Sequence, residues 1–287
     1  MPEQARESTD LWAKFSTAAY DFFLNSAPDN FLHPTMAGAQ WVHQGMFSAW
    51  PFSFALELAS LREAPDWGEI WKGLVEESPV GNPPTCDLKG AADTADLPSR
   101  TSTNLVHQAY HTFVFQQATS LLPWDAASGL VVEFGGGYGC LCNLMHTGGF
   151  EGQYLLYDLP VFSLIQTYYL SSNGWTVRRL AEHTGDFVSR VPGVYTSSDA
   201  AEVLAALALR NPSTKEGASG RRKGLFIGMW SLAEAPEEAR APFEDLIRTF
   251  SSVLVGFRDL WGGIDNLAYI RRIAKLRGET HGGSLVG

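Results

Sequence analysis

From Gly129 onward the chain alternates short runs that are apolar at every position with longer stretches of mixed character. The short runs are GLVVEF, QYLLYD, GVYTS, GLFIGMW and SSVLVGF. A strand that is apolar on both faces must be covered on both faces, as in a parallel sheet between two layers of helices. The pattern therefore predicts an α/β fold, a Rossmann-like, doubly wound and mostly parallel sheet. Just upstream, STNLVHQAYHTFVFQQATSLL reads as a helix with Ser102 or Thr103 as N-cap and apolar positions at Val106, Tyr110, Phe113 and Leu121. Residues 10–77 carry apolar and aromatic bursts without strand-like alternation, as in LWAKFSTAAYDFFL and FSFALELASLREA, and read as mostly helical. Between them, residues 78–100 turn to Pro, Gly, Asn and Asp, which predicts a long loop and a boundary near Thr101. The expected organisation is a helical N-terminal extension and linker over 1–100 and a Rossmann-like domain over 101–287, with a polar loop at 210–224 and no internal repeat.

Composition narrows the function classes. The chain has 287 residues, 45% hydrophobic and 18% charged, enough apolar material for one large domain with an extension. Its 21 basic and 31 acidic residues give a formal charge of −10, a balance that repels nucleic-acid backbones and anionic membrane surfaces. The one basic cluster, Arg221, Arg222 and Lys223, is too short to reverse this. Three cysteines, Cys86, Cys140 and Cys142, do not make a disulfide framework at this length and point to a reducing compartment. MPEQARESTD lacks a basic segment followed by an apolar one, and the uncharged stretch from Asn30 to Leu56 is broken by Pro34 and Pro51. A soluble, cytoplasmic protein is expected. Trp12, Trp41, Trp50, Trp67 and Trp71 cluster in the N-terminal region and are read as core and interface residues in preference to sugar-stacking ones.

The most informative segment is VVEFGGGYGCL, where a buried strand runs into Gly135, Gly136, Gly137 and Gly139 and then into a helix. Glycine suits a sharp turn, and a Cβ there would hold the backbone away from a flat ligand. Asp158 ends the next strand, nineteen residues after Gly139. In doubly wound folds an acid at that point accepts hydrogen bonds from both ribose hydroxyls of a nucleoside. The spacing separates the candidate cofactors. A dinucleotide fingerprint starting from Gly135 and Gly137 needs a third glycine at 140, where this chain has Cys140. The run is instead Glu-x-Gly-x-Gly-x-Gly from Glu133 to Gly139, and a carboxylate at Glu133 would repel a pyrophosphate.

This run resembles motif I of the class I methyltransferases, which use S-adenosylmethionine. EFGGGYG, YDLPVFSLIQTYYLSSNG, MWSLAEAP and GGIDN, with VGNPP and STNLVHQAYH upstream, resemble the sugar O-methyltransferase family, a branch of that class, over residues 80–270. The resemblance implies a Rossmann-like fold, S-adenosylmethionine as methyl donor and a carbohydrate hydroxyl as acceptor. It implies that Glu133 orients the methionine end, that Gly135, Gly136, Gly137 and Gly139 line the cofactor, that Asp158 binds its ribose and that Leu159 flanks its adenine. Class I methyltransferases normally close with two further strands. Here a helix, NLAYIRRIAKL, and a tail ending GGSLVG follow Phe257, so the C-terminal strand hairpin is expected to be shortened or missing.

A sugar hydroxyl has a high pKa and needs a base or a metal to become a nucleophile. His107 and His111 lie four apart on one helix face and are candidates for that base. Gln108 stands where a zinc-protease motif needs glutamate, which rules that motif out. Glu234 follows the fourth predicted strand at the ligand-binding edge; it is a candidate base or acceptor ligand, or else the N3 residue of a capping box with Ser231 as N-cap. Asp259 and Asp265 are read as surface acids rather than metal ligands, so no metal is assigned. His146 is read as a helix-terminal residue and Cys140 and Cys142 as packing beside the cofactor loop. The expected activity is methyl transfer from S-adenosylmethionine to a sugar or glycosylated small molecule, the N-terminal region covering the acceptor or forming a homodimer. The alternatives are an NAD-dependent oxidoreductase and a catalytically idle methyltransferase-fold binding module.

Overall fold

The computed structural model describes residues 13–14, 16–21, 23–25, 29–33, 51–86, 98–210, 222–261 and 264–278. Helix α1 (Pro51–Arg62) is followed by a π-helical turn (Trp67–Trp71), a single turn at Lys72–Leu74, and α2 (Thr103–Thr119). The remainder alternates: β1 (Leu130–Phe134), α3 (Cys140–Thr147), β2 (Gln153–Tyr157), α4 (Pro160–Ser172), β3 (Val177–Arg179), α5 (Leu180–Val188), β4 (Gly193–Ser197), α6 (Ala200–Arg210), β5 (Arg222–Met229), α7 (Glu237–Thr249) and β6 (Phe250–Gly256). Two-residue strands β7 (Leu260–Trp261) and β8 (Ile264–Asp265) precede α8 (Asn266–Leu276).

All six strands of the main sheet are parallel, in the order β3-β4-β2-β1-β5-β6. The fold is α/β, Rossmann-like and doubly wound, as the apolar runs predict. All five predicted strands are present. The sixth, β3, is an edge strand of sequence VRR, and a three-residue run with two arginines carries no apolar signature. Among the described residues no strand joins the sheet beyond β6; β7 and β8 pair antiparallel with each other instead.

Period-two alternation divides the sheet between two cores. Val131, Tyr154, Leu156, Leu225 and Ile227 face one cluster with α2, α3, α4, Trp67 and Trp71. Leu130, Val132, Phe134, Leu155 and Phe226 face the other with α5, α6, α7 and α8. The N-terminal region is thus continuous with one face of the sheet. Asp66 fastens the two, accepting from Trp71 Nε1 at 2.9 Å and from Gln116 Nε2 at 3.0 Å. Trp67 and Trp71 are buried, as expected of core residues; Trp12, Trp41 and Trp50 lie outside the described residues, as do the central parts of both predicted loops and the C-terminal tail.

Helix α2 starts where its cap predicts. Ser102 Oγ accepts from Leu105 N–H at 3.1 Å, but the helix ends at a left-handed Ser120, which leaves Leu121 exposed rather than apolar-facing. The stretch predicted as one helix after β5, SLAEAPEEAR, is broken at Ala235 and Pro236 into a turn, Ser231–Glu234, and α7. No helix among the described residues is long and apolar enough to cross a membrane.

Candidate functional site

In an open parallel sheet ligands bind beyond the carboxyl ends of the strands, where the chain leaves one strand in opposite directions. Here that strand is β1, with β2 on one side and β5 on the other. The glycine run leaves β1 at this point. Gly135 N–H donates to Tyr157 O at 2.7 Å, which ties the loop to the end of β2.

The glycines serve different ends. A Cβ on Gly135 (φ +73°) would lie 2.3 Å from Ser231 Cβ, and one on Gly136 would lie 2.5 Å from Leu156 Cδ2. At Gly139 (φ +100°) a Cβ would meet Leu170 at 3.1 Å, whereas at Gly137 (φ +56°) it would meet nothing within 4 Å. Close packing with the protein itself therefore demands glycine at 135 and 136. Of the four, only Gly137 has open space where a Cβ would stand; at Gly135, Gly136 and Gly139 a Cβ would first meet the protein's own side chains.

Two carboxylates flank the loop. Glu133 is 2% exposed and accepts from Tyr154 Oη at 2.7 Å. Burial pushes its pKa up to about 7, the Tyr154 bond opposes this, and the negative charge of Asp158 adds to it. Asp158 follows β2. Its Oδ1 accepts from Leu159 N–H at 2.8 Å; its Oδ2 accepts from Gly137 N–H at 3.0 Å and Gln166 Nε2 at 2.9 Å. Burial again prevails over these bonds and raises the pKa to about 7. Neither acid forms an ion pair among the described residues. Asp158 thus holds the loop itself, and a ribose diol would have to exchange with one of these donors.

Gln166 was not legible as a site residue. It is 0% exposed, bridges Asp158 and the Gly137 carbonyl (2.9 Å each), and leaves Oε1 buried without a hydrogen-bond partner. Its only sequence signal is an amide inside the apolar run SLIQTYYL. Leu159 is the N-cap residue of α4 and packs partly buried beside the loop.

The histidine pair lies on α2, against Glu57 of α1. Nδ1 of His107 lies 2.7 Å from Glu57 Oε1, and Nε2 of His111 lies 3.3 Å from Nε2 of His107. Both rings contact Trp230, His107 stacked at 5.5 Å between centroids and His111 edge-on at 5.6 Å. Burial, followed by the neighbouring His107, takes the pKa of His111 down to about 3, so this ring is neutral at physiological pH. Trp230, the residue after β5, has φ 63° and ψ −48°, a strained conformation for a bulky residue. The next residue, Ser231, donates from Oγ to Phe134 O and lies against Gly135. The dipeptide Trp230–Ser231 therefore joins the histidine pair to the glycine loop.

Ser231 is thereby the first helical residue of its turn, with Trp230 as N-cap, and the capping box with Glu234 does not form. Glu234 is half-buried at the same edge; desolvation raises its pKa to about 7 and the Arg258 charge opposes that rise. Asp265 caps α8, accepting from Ala268 N–H at 2.9 Å, and is exposed like Asp259. No cluster of three or more His, Cys, Asp or Glu among the described residues is arranged to hold a metal. His146 is buried and stacked on Trp175 at 4.6 Å, with Nδ1 2.7 Å from Phe150 O. Burial lowers its pKa, so packing of a neutral ring replaces the expected charge–dipole role. Cys140 and Cys142 are buried thiols directly after the loop.

Comparison of the chain with protein-family models, with curated proteins and with solved structures gives no match.

Proposed function

We propose that this protein is an S-adenosylmethionine-dependent O-methyltransferase acting on a hydroxyl of a sugar or glycosylated small molecule, as the resemblance to the sugar O-methyltransferase family implies. The observation that carries the reading is the pair of desolvated carboxylates, Glu133 and Asp158, beside one glycine loop, with no basic side chain among the described residues to neutralise them. Such a site favours a ligand with a net positive charge and disfavours a pyrophosphate, which argues for adenosylmethionine over NAD.

The residues fit that group on two further counts. Gly137 has open space where a Cβ would stand, and Gln166 Oε1 is a buried acceptor without a donor. Glu133 would hold the cationic methionine end, Asp158 the ribose, with Leu159 beside the adenine. When bound, the group supplies an electrophilic methyl carbon. The chain's own work is to hold the acceptor in line, exclude water and remove a proton. His111 is the base in this reading because it meets the loop through Trp230 and Ser231; its desolvated ring accepts a proton reluctantly, so the proton must be passed on. Glu234 is an acceptor ligand at the same edge. Free Cys86, Cys140 and Cys142 support a cytoplasmic location.

One observation favours a second reading, an idle module of the same fold: the oxygens of Asp158 are already engaged by donors of the loop and α4. Calorimetric titration with adenosylmethionine, S-adenosylhomocysteine and NAD separates the readings. Micromolar binding of both adenosyl ligands is expected, with adenosylmethionine binding strengthening between pH 6 and 8 as both acids ionise. Binding of NAD alone would establish the oxidoreductase, and binding of none by folded protein the idle module.

A further inference from the structure

We propose that Glu57, on the N-terminal helix α1, is the positioning residue that makes His111 a base, by fixing the protons of a three-membered chain Glu57–His107–His111. The proposal rests on the methyl-transfer reading for its purpose, though not for its geometry.

Glu57 is the sole carboxylate of α1, within the apolar sequence PFSFALELASLR. It is 7% exposed, and its Oε2 is buried without a hydrogen-bond partner, so the 2.7 Å contact of Oε1 with His107 Nδ1 is the bond that accounts for it. An acid in that position needs a strong reason to be buried, since an unpaired buried carboxylate is strongly destabilising. Among the titratable groups packed here, His107 and His111 face each other from α2, and Glu57 faces His107 from α1.

The proton positions follow from the acceptors. An ionised carboxylate can only accept, so His107 carries its proton on Nδ1. In neutral His107 the Nε2 atom is then bare. Across the 3.3 Å contact, His111 must donate from Nε2, and its own Nδ1 becomes the bare, basic nitrogen. That nitrogen has no hydrogen-bond partner among the described residues. Without Glu57, nothing would choose this direction of the chain over its reverse, in which His111 Nδ1 carries a proton and cannot accept one.

The same chain disposes of the proton. As the hydroxyl oxygen forms the new C–O bond and the C–S pair returns to sulfur, the hydroxyl proton moves to His111 Nδ1. The proton on His111 Nε2 passes to His107 Nε2, and the resulting imidazolium rests against the Glu57 carboxylate. His111 ends neutral, which its desolvated position requires.

The test is nitrogen NMR of the ring atoms in the full chain labelled with ¹⁵N-histidine at neutral pH, without cofactor. His107 protonated on Nδ1 only, and His111 on Nε2 only, is the expected result. His107 protonated on Nε2, or on both nitrogens, would overturn the proposal from the unmutated protein alone. Glu57→Ala should leave both rings as a mixture of the two tautomers, whereas Glu57→Gln, which keeps an amide oxygen for Nδ1–H, should preserve them. In methyl transfer, Glu57→Ala should lower kcat at least tenfold, leaving KM for adenosylmethionine within twofold; an unchanged kcat in folded Glu57→Ala would also sink the idea. Loss of adenosylmethionine binding by the unmutated chain would instead count against the methyltransferase reading, since the tautomers are read without it.

Discussion

Replacing Glu133 by Gln sets stability and binding against each other. Gln keeps the shape and leaves an oxygen to accept from Tyr154 Oη, 2.7 Å away, but it cannot ionise. In the native protein burial raises the carboxyl from 4.5 to about 7. At ~1.4 kcal/mol per pH unit, keeping Glu133 ionised in the fold costs about 3 kcal/mol relative to the unfolded chain. Between those two pKa values the native state binds more protons than the unfolded state. Stability from this group therefore falls as pH rises from about 4.5 to about 7, and is level above. Glu133→Gln should accordingly be more stable than the parent at pH 8, by roughly 5 °C or more in melting temperature, and the two should converge near pH 4.5. Adenosylmethionine affinity should move the other way, falling at least tenfold at pH 8 with a smaller deficit at pH 6, where the parent acid is largely protonated. Scanning fluorimetry and calorimetry at the two pH values read both effects. Equal melting temperatures at pH 8 together with unchanged affinity would refute both the desolvated carboxylate and its role.

Asp158→Asn should weaken adenosylmethionine binding by more than about tenfold, as expected when a charge-assisted interaction is lost, and calorimetry at pH 8 checks it. Gly137→Ala should cost about 1 kcal/mol in urea unfolding, for the positive φ alone, yet abolish measurable adenosylmethionine binding, since its methyl enters the open space. Gly135→Ala should instead cost roughly 2–4 kcal/mol, because its Cβ would stand 2.3 Å from Ser231 Cβ, and adding Ser231→Gly should recover part of that loss in the same urea assay.

The two halves of the candidate site differ in how they are encoded. Glu133, the glycines and Asp158 lie on consecutive strand–turn–helix units, so their spacing along the chain is already their spacing around the loop. The apolar runs that surround them show which edge of the sheet they occupy, because period and burial are local properties. Even so, the reason for each glycine was hidden: what stands against Gly135 is Ser231, and what stands against Gly136 is Leu156.

The histidine half depends on distant partners. The four-residue spacing of His107 and His111 places both on one face of α2, but Glu57 is fifty residues upstream and Trp230 more than a hundred downstream. No periodicity links them, and a lone acid in an apolar helix reads as an exposed one until its neighbour is known. The same holds for Gln166, an amide inside α4 that becomes part of the site when the helix packs against the loop. Local pattern along the chain sufficed for the α/β class, five of the six main-sheet strands and the acidic glycine loop. Tertiary packing alone decided the orders that bring β1, β2 and β5 side by side, the burial that shifts Glu133, Asp158 and His111 from their ordinary pKa values, and the contacts that set the direction of the imidazole chain. Desolvation and hydrogen-bond partnership depend on what the fold brings next to a group, and that is written in no single stretch of the chain.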